Sequence, residues 1–146
     1  MSTTRPAAEI IDLTYQHLEE AAEVLAAAFY DDPLLNYLLA GLGDDFAGCL
    51  QEFFRFTCEI RLELDGPIWG AVSNGQIQGV ACLSLPDEPE WTPSLGDKLQ
   101  RLRQCMGPLG SERLERYAGI VGESTTKQTH IFLGALGVHP RAQGQG

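Results

Sequence analysis

The final residues of the chain, Gln143-Gly144-Gln145-Gly146, are of the kind that binds anions through the backbone. They follow Pro140 and the apolar run 131–138, which has the composition of a buried strand. A glycine loop directly after a strand can direct successive backbone N–H groups into one concavity, where they bind phosphate oxygens. Glycine suits such a loop because a Cβ would collide with the phosphates. The pattern therefore indicates a phosphate site.

Two other phosphate-binding arrangements are disfavoured. No Gly-Lys-Ser or Gly-Lys-Thr follows the glycines, so no lysine would reach the phosphates as in a P-loop. A dinucleotide-binding fold places its glycine loop after the first strand, whereas this loop comes last.

Glycines also interrupt the strand that leads into the loop. We predict a strand over His130–Val138, with Gly134 and Gly137 inside it. Glycine within a strand often marks a bulge, or a close approach by another backbone or a ligand.

The net charge of the chain limits the classes of partner that it can bind. The 146 residues carry 20 Asp and Glu against 10 Lys and Arg, a formal net charge of −10. A surface this negative repels phosphate backbones, so we expect no nucleic-acid partner. It would attract a cationic small molecule such as an amine. That the acidity only maintains solubility is an equally good interpretation.

The cysteines and the N-terminus indicate the compartment. The four cysteines form no Cys-x-x-Cys pair and no metal-like spacing with a histidine, so we interpret them as reduced thiols and expect no metal. The N-terminus lacks a signal-peptide core, and no apolar run approaches a membrane span. We therefore expect a cytoplasmic protein with no membrane partner, formed as a single domain over 1–146.

The elements that would position the loop follow from periodicity. A strand is predicted over 9–13 and a helix over 15–30, and Asp31-Asp32-Pro33 ends this helix. A short helical turn follows it. The next element is a long helix capped by Asp44 or Asp45. Asn74-Gly75 between two apolar runs predicts an antiparallel hairpin. A helical insertion over about 93–125, interrupted by Pro108 and Gly110, precedes the last strand. This order predicts an α/β protein with a mixed sheet covered by helices.

The segment LGVHPRAQGQG resembles motif A of the GNAT superfamily of acyl-CoA N-acyltransferases, in which a strand, a proline and Q/R-x-x-G-x-G/A follow one another. In this comparison Gln143 opens the motif, and the chain ends before its last two positions. A register that opens at Arg141 also fits the letters, but the spacing from Val138 and Pro140 favours Gln143. The stretch AAFYDDPLLNYLL is similar to the end of the first helix in many members of this family, and the hairpin lies where the family has its second and third strands. The helical insertion, together with the strand HIFLGALGV, resembles the puromycin-acetyltransferase branch.

The resemblance implies a GNAT-like fold that uses acetyl-CoA to acetylate a primary amine of a small molecule or peptide by direct attack. It implies that the strand carrying Leu136, Gly137 and Val138 binds the pantetheine arm, and that Gln143-Gly144-Gln145-Gly146 receives the diphosphate. A homodimer is also implied. The family's usual tyrosine acid belongs to a part of the fold with no counterpart here, so no catalytic residue is assigned.

Two expectations concern the whole chain. We expect it to be the N-terminal portion of a longer acyltransferase, ending inside motif A, with the C-terminal half of the fold absent. The alternative is a non-catalytic acyl-CoA-binding or interaction module of the same fold.

Candidate substrate residues lie at the predicted junction of the first two helices. Asp31 and Asp32 would bind a cationic amine, and Tyr30 and Tyr37 would line the same pocket. Each has a structural alternative: the two aspartates end a helix before Pro33, and aromatic residues at a helix junction usually pack. For His130 a packing role is favoured over catalysis, and Glu123 is a candidate base only if the chain folds it inward.

Overall fold

The computed structural model describes residues 7–124, 128 and 130–144. Within these ranges the chain forms four strands and four helices. In chain order these are β1 (Glu9–Asp12), α1 (Leu18–Ala28), α2 (Pro33–Leu38), α3 (Phe46–Glu63), β2 (Ile68–Ser73), β3 (Gln76–Ser84), α4 (Pro93–Ser124) and β4 (Phe132–Val138). The chain also forms three short 3-10 turns, over Tyr15–His17, Gly43–Asp45 and Pro140–Ala142.

The four strands form one sheet in the order β1-β2-β3-β4, and each neighbouring pair is antiparallel. The β2–β3 turn contains Asn74 at φ 54° and Gly75 at φ 73°, the positive angles that a two-residue hairpin turn needs. The predicted hairpin is therefore confirmed. The strands and helices together confirm the α/β class, but the sheet of the described residues is entirely antiparallel, whereas the sequence predicted a mixed sheet. The last strand begins at Phe132 instead of His130.

Helices α1 and α3 pack against one face of the sheet and bury its apolar side chains. Val80 and Cys82 of β3 are 1% exposed, and Leu25 of α1 is fully buried. The opposite face is different. The register places Trp69, Ala81 and Leu136 in one row across three strands, and Trp69 and Leu136 are exposed. The core of the described chain therefore lies between the sheet and helices α1 and α3.

The starts of the helices agree in part with the sequence predictions. Asp32 adopts extended backbone, its side chain accepts a hydrogen bond from the Leu35 N–H at 3.1 Å, and Pro33 takes the first helical position of α2. Asp45 precedes α3 as expected, but it has helical backbone and its side chain caps nothing. The interruption of α4 lies at Gly107, where φ is 78°, so that Pro108 begins the second helical part.

No helix in the part of the chain that the structure describes has the length and apolarity to cross a bilayer.

A buried ion cluster joins α3 to α4. The Glu59 side chain is only 4% exposed, and its two carboxylate oxygens lie 2.9 Å from Arg55 Nη1 and 3.1 Å from Lys98 Nζ. Lys98 Nζ also lies 2.9 Å from the Glu63 carboxylate. A buried carboxylate is tolerated only while its charge is matched, so both cations are needed.

We predict that Lys98→Met lowers the free energy of unfolding by about 2–3 kcal/mol, because it leaves the Glu59 carboxylate buried with one cation. Urea denaturation measures the change. The control is Arg116→Met, since Arg116 is exposed and pairs with Glu112 at 3.6 Å on the surface; that change should cost less than about 0.5 kcal/mol. Equal losses in the two variants would contradict this account of the cluster.

Candidate functional site

Among the residues that the structure describes, strand β4 lies at the edge of the sheet and pairs with β3 along one side only. The His139 N–H, just beyond β4, donates to the Gln78 carbonyl at 2.8 Å. Because backbone groups alternate in direction along a strand, those of Gly137 also face β3, whereas those of Leu136 and Val138 face away. The Val138 carbonyl accordingly accepts a hydrogen bond from Gln143 Nε2 at 2.9 Å, outside the sheet. Leu136 and Val138 therefore present backbone donors and acceptors at the free edge.

Gly137 allows β4 to lie unusually close to α1. A Cβ at this position would lie 3.0 Å from both Ala28 Cβ and Leu25 Cδ2, and 3.1 Å from Phe29 Cε2. Such contacts are tighter than packed carbon atoms normally make, so a side chain would force the helix and strand apart. The close approach expected at this glycine is thus made by a helix of the same chain.

Gly134 lies in a β-bulge. Cys82 is opposite Ala135, whereas the next residue, Leu83, is opposite Leu133, so that Gly134 has no partner on β3. A bulge bends the strand and interrupts its pairing. The sequence predicted an irregularity at one of these glycines, and this one has it.

A cleft of about 540 Å³ opens beside the free edge of β4. One wall is the end of α1 and the turn that follows, with the lining residues Ala27, Ala28, Phe29, Asp31 and Asp32. The other wall is Leu136–Val138, and Pro140 and Gln143 complete the lining. The cleft therefore brings the predicted strand and loop residues next to the predicted acidic turn.

The segment after β4 forms a short 3-10 turn over Pro140–Ala142, followed by Gly144 at φ 75°. This positive φ favours glycine on conformational grounds alone. No neighbouring atom lies within 4 Å of the position that a Gly144 Cβ would take, so the space beside it is open. Gln145 and Gly146, which complete the predicted diphosphate loop, lie outside the described residues.

Side-chain hydrogen bonds fix the start of this turn. His139 Nδ1 accepts from the Arg141 N–H at 3.1 Å and so caps the turn. Burial of the imidazole, together with the nearby Arg141 guanidinium, lowers the pKa of His139 below its ordinary 6.5. Sequence alone does not identify this role of His139, because the acceptor function depends on a tight turn that composition does not specify.

The two carboxylates of the cleft differ in what they bind. Asp32 is half-buried, and its side chain accepts the Leu35 N–H at the start of α2. Asp31 is exposed, and no hydrogen bond or ion pair to its carboxylate occurs among the described residues. Of the two, Asp31 has the carboxylate that is free to bind a ligand.

The two tyrosines that the sequence placed in the substrate pocket are not among the residues that line the cleft. The Tyr30 ring packs edge-on against Phe46, with centroids 5.5 Å apart. The Tyr37 ring lies 5.2 Å from the Arg113 guanidinium, which also donates to the Tyr37 carbonyl. The structural alternative for both residues, packing at a helix junction, matches these contacts.

The remaining candidates lie apart from the cleft. His130 Nδ1 is 2.7 Å from the Gln128 carbonyl, and Glu123 is exposed near the end of α4. Within the described ranges, the only ionisable side chains that line the cleft are Asp31 and Asp32. Those same ranges contain no group of three or more His, Cys, Asp or Glu side chains suited to a metal ion.

Comparison with known proteins shows the fold. No protein-family model matches the chain, and no curated protein matches its sequence. The structure is similar to a solved Corynebacterium glutamicum protein described as histone acetyltransferase HPA2 and related acetyltransferase, with a TM-score of 0.70 and 22% identity. The similarity covers 96% of this chain but 65% of that one, so the chain spans about two thirds of its neighbour's length. The chain thus shares the fold of that neighbour over the part that the similarity covers.

We predict that Gly137→Ala lowers the free energy of unfolding by about 1–3 kcal/mol, because the added methyl group overlaps the packing of α1 on β4. Thermal or urea unfolding measures the change. Gly79→Ala is the matched control on the neighbouring strand, since its Cβ would come no closer than 3.4 Å to another atom. An equal or larger loss in Gly79→Ala would show that the α1 contact is not the cause.

We predict that the pKa of the His139 imidazole lies below 6.5, because burial of the ring and the nearby Arg141 guanidinium both disfavour its charged form. The unfolded chain then binds more protons in this range, so the cap is intact above pH 6.5 and is lost as pH falls through the folded pKa. NMR titration of the imidazole and of the Arg141 amide measures both events. A midpoint at or above 6.5 would refute the assignment.

Proposed function

We propose that this chain is the acyl-CoA-binding part of an N-acetyltransferase that acetylates a primary amine of a small molecule or peptide. The observation that carries the proposal is the edge of β4 that pairs with no strand of the described chain; this edge lines a cleft and continues into a turn with Gly144 at φ 75°. A strand edge and a glycine turn in sequence can bind an extended chain with amides at one end and phosphates at the other.

The residues present suit acetyl-CoA. The backbone groups of Leu136 and Val138 would hold the amides of the pantetheine arm by extending the sheet. The open space beside Gly144 would admit the diphosphate, which the N–H groups of Gln143-Gly144-Gln145-Gly146 would bind. When bound, acetyl-CoA supplies an acyl thioester.

The chemistry assigned to this chain is positioning and electrostatic stabilisation. The acceptor amine, after losing a proton to solvent, would form a C–N bond with the acyl carbon while the C–S bond breaks, and a second proton from the nitrogen would pass to the departing thiolate of CoA. A backbone N–H at the free edge would stabilise the negative charge that develops on the carbonyl oxygen. Close packing of α1 on β4 would fix the distance between the edge and the acceptor wall, and such orientation is a large part of catalysis.

Charge supports a cationic acceptor. The net charge of −10 attracts cations, and the carboxylate of Asp31 faces the cleft with no partner among the described residues. We assign Asp31 to binding the acceptor and Asp32 to holding the turn by capping α2. The contacts of Tyr30 and Tyr37 favour packing roles over the substrate role first expected for them.

We extend the proposal to a cytoplasmic enzyme that forms a homodimer.

A non-catalytic acyl-CoA-binding module is the second candidate. It is favoured by the lining of the cleft, in which the described ionisable groups are two aspartates and no histidine, tyrosine or cysteine occurs. Release of free CoA from acetyl-CoA in the presence of a panel of primary amines separates the candidates, since the module would bind acetyl-CoA without turnover.

We predict that the full chain binds acetyl-CoA in calorimetry and that Gly144→Val weakens this binding at least about tenfold, roughly 1.4 kcal/mol. The valine side chain would fill the space proposed for the diphosphate and disfavour the positive φ.

The control is Gly41→Val. Gly41 also has a positive φ, 89°, and open space around its Cβ position, but it does not line the cleft. It should lose stability and keep its affinity for acetyl-CoA. Undetectable binding in the unmodified chain, or equal affinities in the chain and in Gly144→Val, would overturn the proposal.

A further inference from the structure

Gln78 lies in a bulge of β3 that faces the turn after β4. Ala71 of β2 is opposite Gly79, whereas Val72 is opposite Ile77, so Gln78 has no partner on β2. On the side that faces β4, Gln78 accepts two hydrogen bonds. Its carbonyl accepts one from the His139 N–H at 2.8 Å, and its side-chain oxygen accepts one from Arg141 Nε at 2.8 Å. One bulged residue thus contacts both the backbone and a side chain of the turn.

A second donor of the Arg141 side chain binds a carbonyl next to the same bulge. Its Nη2 donates to the Ile77 carbonyl at 2.8 Å. The Ile77 N–H donates in turn to the Glu20 carboxylate of α1 at 2.8 Å. The turn is therefore joined through the bulge to a helix of the core.

We propose that Gln78 and Arg141 are positioning residues, which together hold the turn over Pro140–Gly144 in the orientation that binds the diphosphate. This inference rests on the proposed binding of acetyl-CoA. It gives Arg141 a role that its charge alone would not suggest, because an arginine beside a diphosphate is ordinarily expected to bind it directly. Here two of its donors, Nε and Nη2, are directed to β3.

Pre-ordering the turn would raise affinity, because binding would then not include the entropic cost of ordering it. Two neutral acceptors, an amide oxygen and a backbone carbonyl, hold the guanidinium in place. If the two residues act as one unit, removing either should release the turn, and removing the second should add nothing.

The test is a double-mutant cycle on the affinity of the full chain for acetyl-CoA, measured by calorimetry. We expect Gln78→Leu and Arg141→Leu each to weaken binding about tenfold, and the double variant to weaken it by the same factor. Gln78→Glu keeps an acceptor for Arg141 and should retain most of the affinity. Arg116→Leu, an exposed arginine on α4, is the control for loss of one positive charge and should leave the affinity unchanged.

Two results would overturn the inference. Weaker binding in Arg141→Leu with unchanged binding in Gln78→Leu would mean that Arg141 contacts the phosphates itself. Effects that multiply in the double variant would mean that the two residues act separately.

A second measurement needs no ligand. The Ala142 and Gln143 N–H groups bond to the carbonyls of His139 and Pro140 at 2.8 and 3.4 Å within the turn. Their hydrogen exchange should be about tenfold faster in Gln78→Leu than in the unmodified chain, while Gln78→Glu should behave as the unmodified chain does. Unchanged exchange in Gln78→Leu would refute the positioning role. If the unmodified chain failed to bind acetyl-CoA, the proposed function would fail, and the exchange result would still decide the role of this pair.

Discussion

The contact between β4 and α1 at Gly137 is the constraint on which the cleft depends. Ala28, Leu25 and Phe29 all come within 3.1 Å of the place where a side chain would begin. A Cβ at this position would require these side chains to shift, so glycine suits the close contact between the helix and the strand. Because α1 ends in this region, the acidic turn that follows it is brought opposite the free edge of β4. One missing side chain therefore sets the spacing of the two walls.

Hydrogen bonding then determines which parts of β4 are available. The strand is at the sheet edge, and the alternation of its backbone leaves Leu136 and Val138 facing outwards while Gly137 faces β3. Gln143 already places an amide N–H on the Val138 carbonyl, which marks that edge as able to accept an amide. Two bulges, at Gly134 in β4 and at Gln78 in β3, lie on either side of this short segment. The segment Leu136–Val138 therefore pairs with β3 on one side and with no strand of the described chain on the side that faces the cleft.

Much of this arrangement could be predicted from local sequence signals. Asn74-Gly75 specified the hairpin because both residues tolerate positive φ, and the irregularity expected at a glycine of the last strand is the bulge at Gly134. Asp31-Asp32-Pro33 marked the break between α1 and α2. These signals act within a few residues of one another, so composition and spacing are enough to detect them.

The rest depends on contacts between distant parts of the chain. Gln78 carries no bulge signal, since glutamine is compatible with a regular strand, and its partner Arg141 is 63 residues away in the sequence. The rings of Tyr30 and Tyr37 are directed by Phe46 and Arg113, neither of which their local sequence identifies. Likewise, the two neighbouring aspartates look equivalent in the sequence, and only the bond from Leu35 distinguishes Asp32 from Asp31.

NMR titration of the full chain with coenzyme A tests the central claim most directly, because it observes each amide of β4 separately. If the free edge binds the cofactor, the amides of Leu136 and Val138 should shift strongly and exchange more slowly with water. The Gly137 amide, which faces β3, should change little, and so should amides at the α3–α4 contact near Glu59. Shifts confined to regions away from β4, or no shifts at saturating coenzyme A, would contradict the account.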